Sequence, residues 1–355
     1  MMLNHCKPPR VGGGVRLGGL VAVLLLPGLA TTAVAAQQPS LREADRLRLA
    51  EAFRLADEVR EGIWPGWSEV PFAVLLVTPE QEFLVRHPAP SDEFAVVTER
   101  DALLGSAVHV RERQFAPNLL ATFPAVGGVS TVVVGQPENT GRSSTEWVVT
   151  LLHEHFHQLQ NTQPDYFEAV AALDLSGGDE TGMWMLNYPF PYQEPAVGER
   201  FAAYRLALRD ALERLDGGED SQRDLGAVLA ARARLRNEVD DADYRYFSFQ
   251  LWQEGVARFT ELRVAEAAAE AAASGRGPLP AFSALADVVP YQQVAEALRR
   301  DLVEELTALD LAASGRLVFY SVGAAEALLL DAVRPGWRSR YLREKFQLER
   351  LYDEQ

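Results

Sequence analysis

The sequence predicts an α+β protein that is predominantly helical, with a small, largely antiparallel sheet followed by an active-site helix and a helical C-terminal half. Two observations carry this expectation. Short runs of β-branched and aromatic residues bounded by turn residues are confined to residues 72–134, and after residue 143 apolar residues recur almost only at helical spacing. Between the two regions Ser143 and Glu146 have the spacing of a capping box, with apolar Trp147, Val148, Leu151 and Leu152 behind them.

Residues 1–35 read as an export signal. Lys7, Arg10 and Arg16 form a basic start, residues 17–30 are apolar, and Ala33-Val34-Ala35 has the small-x-small form of a cleavage site. The apolar stretch is interrupted by Pro27 and glycines and falls short of the roughly 20 residues that a membrane span needs. The expectation is therefore a periplasmic or extracellular chain, cleaved near Ala35, with no stable membrane anchor. Cys6, the single cysteine, lies in the removed segment, so the mature chain would have no disulfide and would depend on its core.

Residues 1–35 carry three basic and no acidic side chains, so their loss takes the formal net charge from −16 to −19. So acidic a surface disfavours nucleic acid and anionic lipid as partners. Lysine occurs only at Lys7 and Lys345, which with the abundance of Ala and Arg reads as the codon bias of a GC-rich bacterium.

The remainder divides into a sheet-containing part, residues 36–160, ending in the histidine-bearing helix, and a helical part, residues 161–355, belonging to the same catalytic unit. Leu41, Ala44, Leu47, Ala52, Leu55, Ala56, Val59 and Ile63 give an amphipathic helix that Pro65-Gly66 stops. Residues 72–78 and 82–86 form a hairpin, and 94–97, 107–111 and 130–134 supply further strands. Gly127-Gly128, just before the last of them, either lets the backbone approach something closely or makes a simple turn. After residue 160 come a short amphipathic piece over 165–175 and an aromatic-rich loop over 176–194, which lines a cleft or packs over the core edge. Helices are expected over 197–215, 221–239, 241–273, 290–309, 316–333 and 337–352.

The chemistry concentrates in Leu151-Leu152-His153-Glu154-His155-Phe156-His157-Gln158-Leu159-Gln160. On a helix, His153 and His157 project from one face about one turn apart and can grip a divalent metal. Glu154, rotated about 100° from His153, is placed to reach a water on that metal as a general base. His155 points away, toward a packed or supporting role. A catalytic zinc commonly takes three protein ligands and keeps one position open. No histidine follows His157, and His87 and His109 lie in or beside predicted strands, so the third ligand is sought among downstream carboxylates. Glu254, in Glu254-Gly255-Val256-Ala257-Arg258-Phe259-Thr260-Glu261, is the best candidate, because Gly255 and Ala257 leave room for a neighbouring helix. Alone, it also reads as an ordinary solvent-facing glutamate.

Together the two segments resemble the gluzincins, zinc metallopeptidases in which H-E-x-x-H on one helix is completed by a glutamate on a later one. The resemblance implies a zincin-like fold, His153, His157 and Glu254 as zinc ligands, Glu154 as general base, and Glu261 as an acid orienting a ligand. It also implies a donor for the tetrahedral oxyanion after the glutamate ligand. Tyr320 is the choice, since Gly323 one turn on would let its helix pack against the site; Tyr246 and Arg258 are alternatives, and a core or surface role for Tyr320 stays open. The strand over 130–134 would offer its edge to an extended peptide. Three features depart from the best-known members: the long separation of His157 from Glu254, Arg258 in place of an orienting aspartate, and no G-x-M-E-N motif for capturing a substrate's amino terminus. The function expected is an exported zinc-dependent metallopeptidase acting on a peptide or protein. The alternatives are a metal-binding protein without turnover and a purely helical binding protein.

Overall fold

A computed structural model describes residues 39–218 and 222–353; the expected export signal and its cleavage site lie outside the described residues. The chain begins with helix α1 (Glu43–Ile63), which buries Leu49, Phe53, Leu55, Ala56, Val59 and Ile63 along one stripe. Six strands follow: β1 (Val74–Val77), β2 (Gln81–Val85), β3 (Ala95–Thr98), β4 (Val108–Glu112), β5 (Leu120–Val126) and β6 (Val129–Gly135). They form one mixed sheet in the order β3-β4-β2-β1-β6-β5. One pair, β1 with β6, is parallel, and the other four pairings are antiparallel.

Alternation along the strands divides the sheet's side chains between two cores. Val74, Leu76, Phe83, Val85, Val132 and Val134 join the large core beneath the helices. Leu75, Val77, Leu84 and Val133 face the other way, into a smaller cluster with Phe94 and Val126 against which Phe115 and Phe123 pack.

Strand β5 is absent from the sequence expectation, and it changes the role of β6. Because β6 is paired on both sides, by β1 and β5, its edge cannot receive a peptide; the sheet ends at β5. Pro124 hides this strand in the sequence. A proline donates no hydrogen bond and is tolerated at an edge or a bulge, and here it falls where the β5–β6 register shifts, between Phe123 and Val126. Gly127 and Gly128, with φ of +56° and +74°, make the simple hairpin turn between the two strands.

The helical part comprises α2 (Ser144–Asn161), α3 (Pro195–Asp216), α4 (Gln222–Arg236), α5 (Asp241–Gln250), a π-helical turn at Leu251–Gly255, α6 (Val256–Ala273), α7 (Tyr291–Ala308) and α8 (Val318–Val333), with shorter turns between. The expected helix over 337–352 does not form. It is broken into a turn at Arg338–Tyr341 and a 3₁₀ turn at Leu348–Tyr352, with Phe346 between them at φ 63°. That left-handed residue folds the chain back so that its aromatic side chains share one cluster: Tyr341 stacks on Trp252 at 4.6 Å, Phe346 meets Trp252 at 5.0 Å, and Trp337 meets Trp64 at 5.4 Å. Burial of large rings outweighs local helix propensity here. Among the described residues no helix is long and apolar enough to cross a membrane.

Candidate metal centre

Helix α2 is fixed at its start by the capping box the spacing predicts. The Ser143 backbone N–H donates to Glu146 Oε2 at 2.8 Å, and the Glu146 N–H donates to Ser143 Oγ at 3.3 Å. The next turn is tied into its surroundings: Ser144 Oγ donates to Asp287, Thr145 Oγ1 to the Val289 carbonyl at 2.7 Å, and Trp147 Nε1 to the Gly135 carbonyl at 2.7 Å. The helix is buried almost throughout, with Trp147, Leu151, Leu152 and Phe156 in the core.

One side of α2 meets the chain from Trp252 to Glu261. His153, His157 and Glu254 each offer a ligand atom, and these atoms all lie within 4.8 Å of one another. His157 Nε2 is 3.6 Å from Glu254 Oε2. Ligands about 2 Å from a tetrahedral ion lie roughly 3.3 Å apart, so the donor set and spacing fit a divalent cation.

The far nitrogens of both imidazoles are engaged, which orients the near ones. His153 Nδ1 is 3.6 Å from Glu261 Oε2, and Glu261 also accepts from Arg258 Nη1 at 2.8 Å. His157 Nδ1 is 2.6 Å from Gln160 Oε1. The orientation of that amide is set by its own donors, because Gln160 Nε2 bonds the Gln253 carbonyl at 3.1 Å and the Tyr341 hydroxyl at 2.7 Å. Its oxygen therefore faces His157 Nδ1, and His157 Nε2 is left turned toward Glu254. Gln253 adds a contact of 3.1 Å to the same Nδ1 while accepting from the Tyr166 hydroxyl at 2.8 Å.

The charges are complementary. Burial alone would raise the Glu254 carboxyl, but the hydrogen bond and charge of His157, with help from His153 and Arg316, bring it to about 2. His157 responds in kind: against burial, Glu254 lifts it to about 9. Glu261, which burial would likewise raise, is held at about 2 by Arg258 and His153. A cation between the histidines and Glu254 would take the place of the proton that this pairing favours.

Glu254 reaches this point from the π-helical turn, a local widening common at functional sites. The adjoining residue is Gly255, and the helix that comes close there is α8, through Gly323: a Cβ built on Gly323 would lie 2.6 Å from Gly255 Cα and 2.8 Å from the Leu251 carbonyl oxygen. The two glycines singled out separately in the sequence thus face each other at one helix crossing.

Glu154 is 6% exposed. Its Oε2 accepts from the Thr122 hydroxyl on β5 at 2.8 Å, which ties the helix to the edge strand. His155 turns away as expected, stacking on Phe72 at 4.0 Å with its Nδ1 2.8 Å from Gln158 Oε1; burial depresses its pKa to about 3.

Tyr320 lies beside Glu254. Burial first, and the Glu254 charge next, push its hydroxyl pKa upward, so it stays protonated. Its oxygen accepts from Arg316 Nη1 at 3.2 Å, and its own proton is directed toward Glu254. The two alternatives to Tyr320 are committed to other partners: the Tyr246 hydroxyl donates to the Met185 carbonyl at 2.9 Å, and Arg258 binds Glu261. The aromatic loop packs over the core edge, burying Trp184 and Phe190 and stacking Tyr188 on Tyr246 at 4.4 Å.

Sequence reasoning missed Thr122, Gln160, Gln253 and Arg316. For Gln160 and Arg316 a signal existed, since they stand three residues after His157 and four before Tyr320, on the same helical faces. For Thr122 there was none while β5 went unrecognised. No family model, curated protein or solved structure matches the chain.

Proposed function

We propose that the chain is a zinc-dependent metallopeptidase of gluzincin type, hydrolysing peptide bonds with Glu154 as general base and His153, His157 and Glu254 as metal ligands. The observation that carries the reading is the convergence of those three ligand atoms within 4.8 Å of one another, two of them on a helix that also bears a buried glutamate next to the first histidine. Two imidazoles and one carboxylate are a set zinc takes in catalytic sites that keep a fourth position open.

When bound, the ion supplies Lewis acidity toward a water and a carbonyl oxygen. Glu154, steadied by Thr122, takes the proton of the attacking water and delivers it to the leaving nitrogen as the carbon–nitrogen bond breaks, so the products are a carboxylic acid and an amine. Tyr320 donates its hydroxyl proton as a hydrogen bond to the developing oxyanion, with Arg316 holding the phenol oxygen from behind. An extended peptide adds to the free edge of β5, which places its backbone beside Glu154. Export with cleavage near Ala35 belongs to the same reading and is checked by sequencing the amino terminus of the secreted protein.

The test is purified protein analysed for metal and incubated with a broad peptide library, alongside Glu154→Gln. The expected result is one zinc per chain in both and cleavage by wild type alone. Stoichiometric zinc with no cleavage by wild type would leave a metal-binding protein without turnover. Zinc content indifferent to replacing His153 and His157 would end the metal assignment.

A further inference from the structure

Arg316 stands out among the cations near the site by what it lacks. It is half-buried in the 3₁₀ turn Gly315–Leu317 that leads into α8, and its one side-chain hydrogen bond is the 3.2 Å contact to the Tyr320 hydroxyl, over whose ring it also lies at 5.6 Å. Among the described residues no carboxylate forms an ion pair with it. Arg258, the other guanidinium by the site, is neutralised by Glu261.

After burial and the Tyr320 hydroxyl, the group that acts on Arg316 is the Glu254 carboxylate. Once Glu254 binds a cation, its charge is taken up there, and Arg316 is left half-desolvated with no compensating anion and most of its N–H donors unused. A guanidinium in that state, beside the bond to be cut, is suited to planar, two-pronged recognition of a carboxylate.

We propose that Arg316 is a receptor for a carboxylate carried by the substrate, either the C-terminal carboxylate of the peptide or an acidic side chain near the scissile bond. The inference rests on the metallopeptidase reading for the word substrate, but its test reads binding and needs no turnover. Tyr320, bonded to the same guanidinium, holds it in register with the metal ligands. Such a site favours short peptides cut near their carboxyl end, or acidic sequences, over neutral internal segments.

The experiment uses zinc-loaded Glu154→Gln protein, which should retain ligands uncut, immobilised and exposed to a randomised N-acetyl tetrapeptide pool made once as free acids and once as C-terminal amides. Retained peptides are read by mass spectrometry. A charge-assisted pair of this kind predicts that free acids are retained roughly 10- to 100-fold more than amides, or that Asp- and Glu-containing amides are enriched by the same factor if the side chain is the source. Adding Arg316→Gln should remove the preference, and Arg316→Lys should keep only part of it.

Equal retention of acids and amides with no acidic enrichment would overturn the proposal. So would an Arg316→Gln protein that loses acids and neutral amides alike, since Arg316 would then act on the shared backbone. A carboxylate preference that depends on Arg316, in a protein whose wild type cuts no peptide, would keep the receptor and remove the peptidase reading. Cleavage of acids and amides at equal rates, with no preference for Asp- or Glu-containing sequences, would do the reverse.

Discussion

Replacing Gly323 by alanine should weaken metal binding although Gly323 touches no ligand. The added Cβ would sit 2.6 Å from Gly255 Cα and 2.8 Å from the Leu251 carbonyl oxygen. Unstrained carbon contacts lie at about 3.5–4.0 Å, so α8 must withdraw by roughly 1 Å. Both obstructing atoms are backbone, and no change of rotamer can absorb the overlap. Overpacking of this sort costs about 1–3 kcal/mol in stability. The metal centre is more sensitive than the fold, because the displaced segment Leu251–Gly255 carries Glu254, while metal sites tolerate ligand distances only to within about 0.2 Å. We expect Gly323→Ala to bind zinc at least roughly 10-fold more weakly, about 1.4 kcal/mol, in a competitive titration against a chromophoric chelator. The rise in Tm on adding zinc should shrink in step. Gly226→Ala is the control: Gly226 lies in α4 with no atom within 4 Å of its would-be Cβ. There alanine should stabilise by about 0.5–1 kcal/mol without touching zinc affinity. Wild-type zinc affinity in Gly323→Ala would refute the reasoning that the glycine crossing positions the third ligand.

Four further substitutions separate the parts of the site. Gln160→Ala removes the acceptor that fixes His157 and should lower zinc affinity roughly 10- to 100-fold, whereas Gln158→Ala, which frees the buried His155 and the Ala73 and Ser130 carbonyls but neither metal-facing histidine, should lower Tm and leave zinc affinity intact. Thr122→Val removes the hydroxyl from Glu154 and should cut peptide hydrolysis several-fold, about 1 kcal/mol, with unchanged metal content; a parallel loss of metal would mean that β5 holds the ligands and not the base. Ser143→Ala removes the side-chain half of the capping box and should destabilise the fold by about 1 kcal/mol by thermal or urea unfolding, with no separate effect on turnover.

How much of this was legible in the sequence differs by element. Helices with a clear apolar stripe and a stop signal appear close to where periodicity puts them, as α1 before Pro65-Gly66 and α7 between Pro290 and Leu309 show. The capping box ahead of α2 is likewise a local code that folding honours. Two elements were illegible for the same physical reason, that tertiary context overrides local preference. Strand β5 carries a proline that only an edge position forgives, and residues 337–352 have a helical pattern that bends because Trp337, Tyr341 and Phe346 are worth more in one aromatic cluster than along one helix.

The site was legible as far as single-helix geometry reaches, and the rest depends on how two helices run past each other. Gln160 bonds the carbonyls of Trp252 and Gln253, His157 meets Glu254, and His153 meets Glu261. The partners advance along one segment as they retreat along the other, so the two run antiparallel. Four residues of α2 span about 6 Å, and the seven from Glu254 to Glu261 span about 10 Å of ideal helix, a mismatch that the side chains must bridge. Spacing within either motif says nothing of this direction or offset, which is why Glu254 alone read equally well as a surface glutamate. Once the register is set, one slide of the helices would break the Gln160, His157 and His153 contacts together. The register of the candidate metal centre therefore rests on those side-chain contacts between α2 and the second segment, while the backbone approach of Gly255 to Gly323 fixes that second segment against α8.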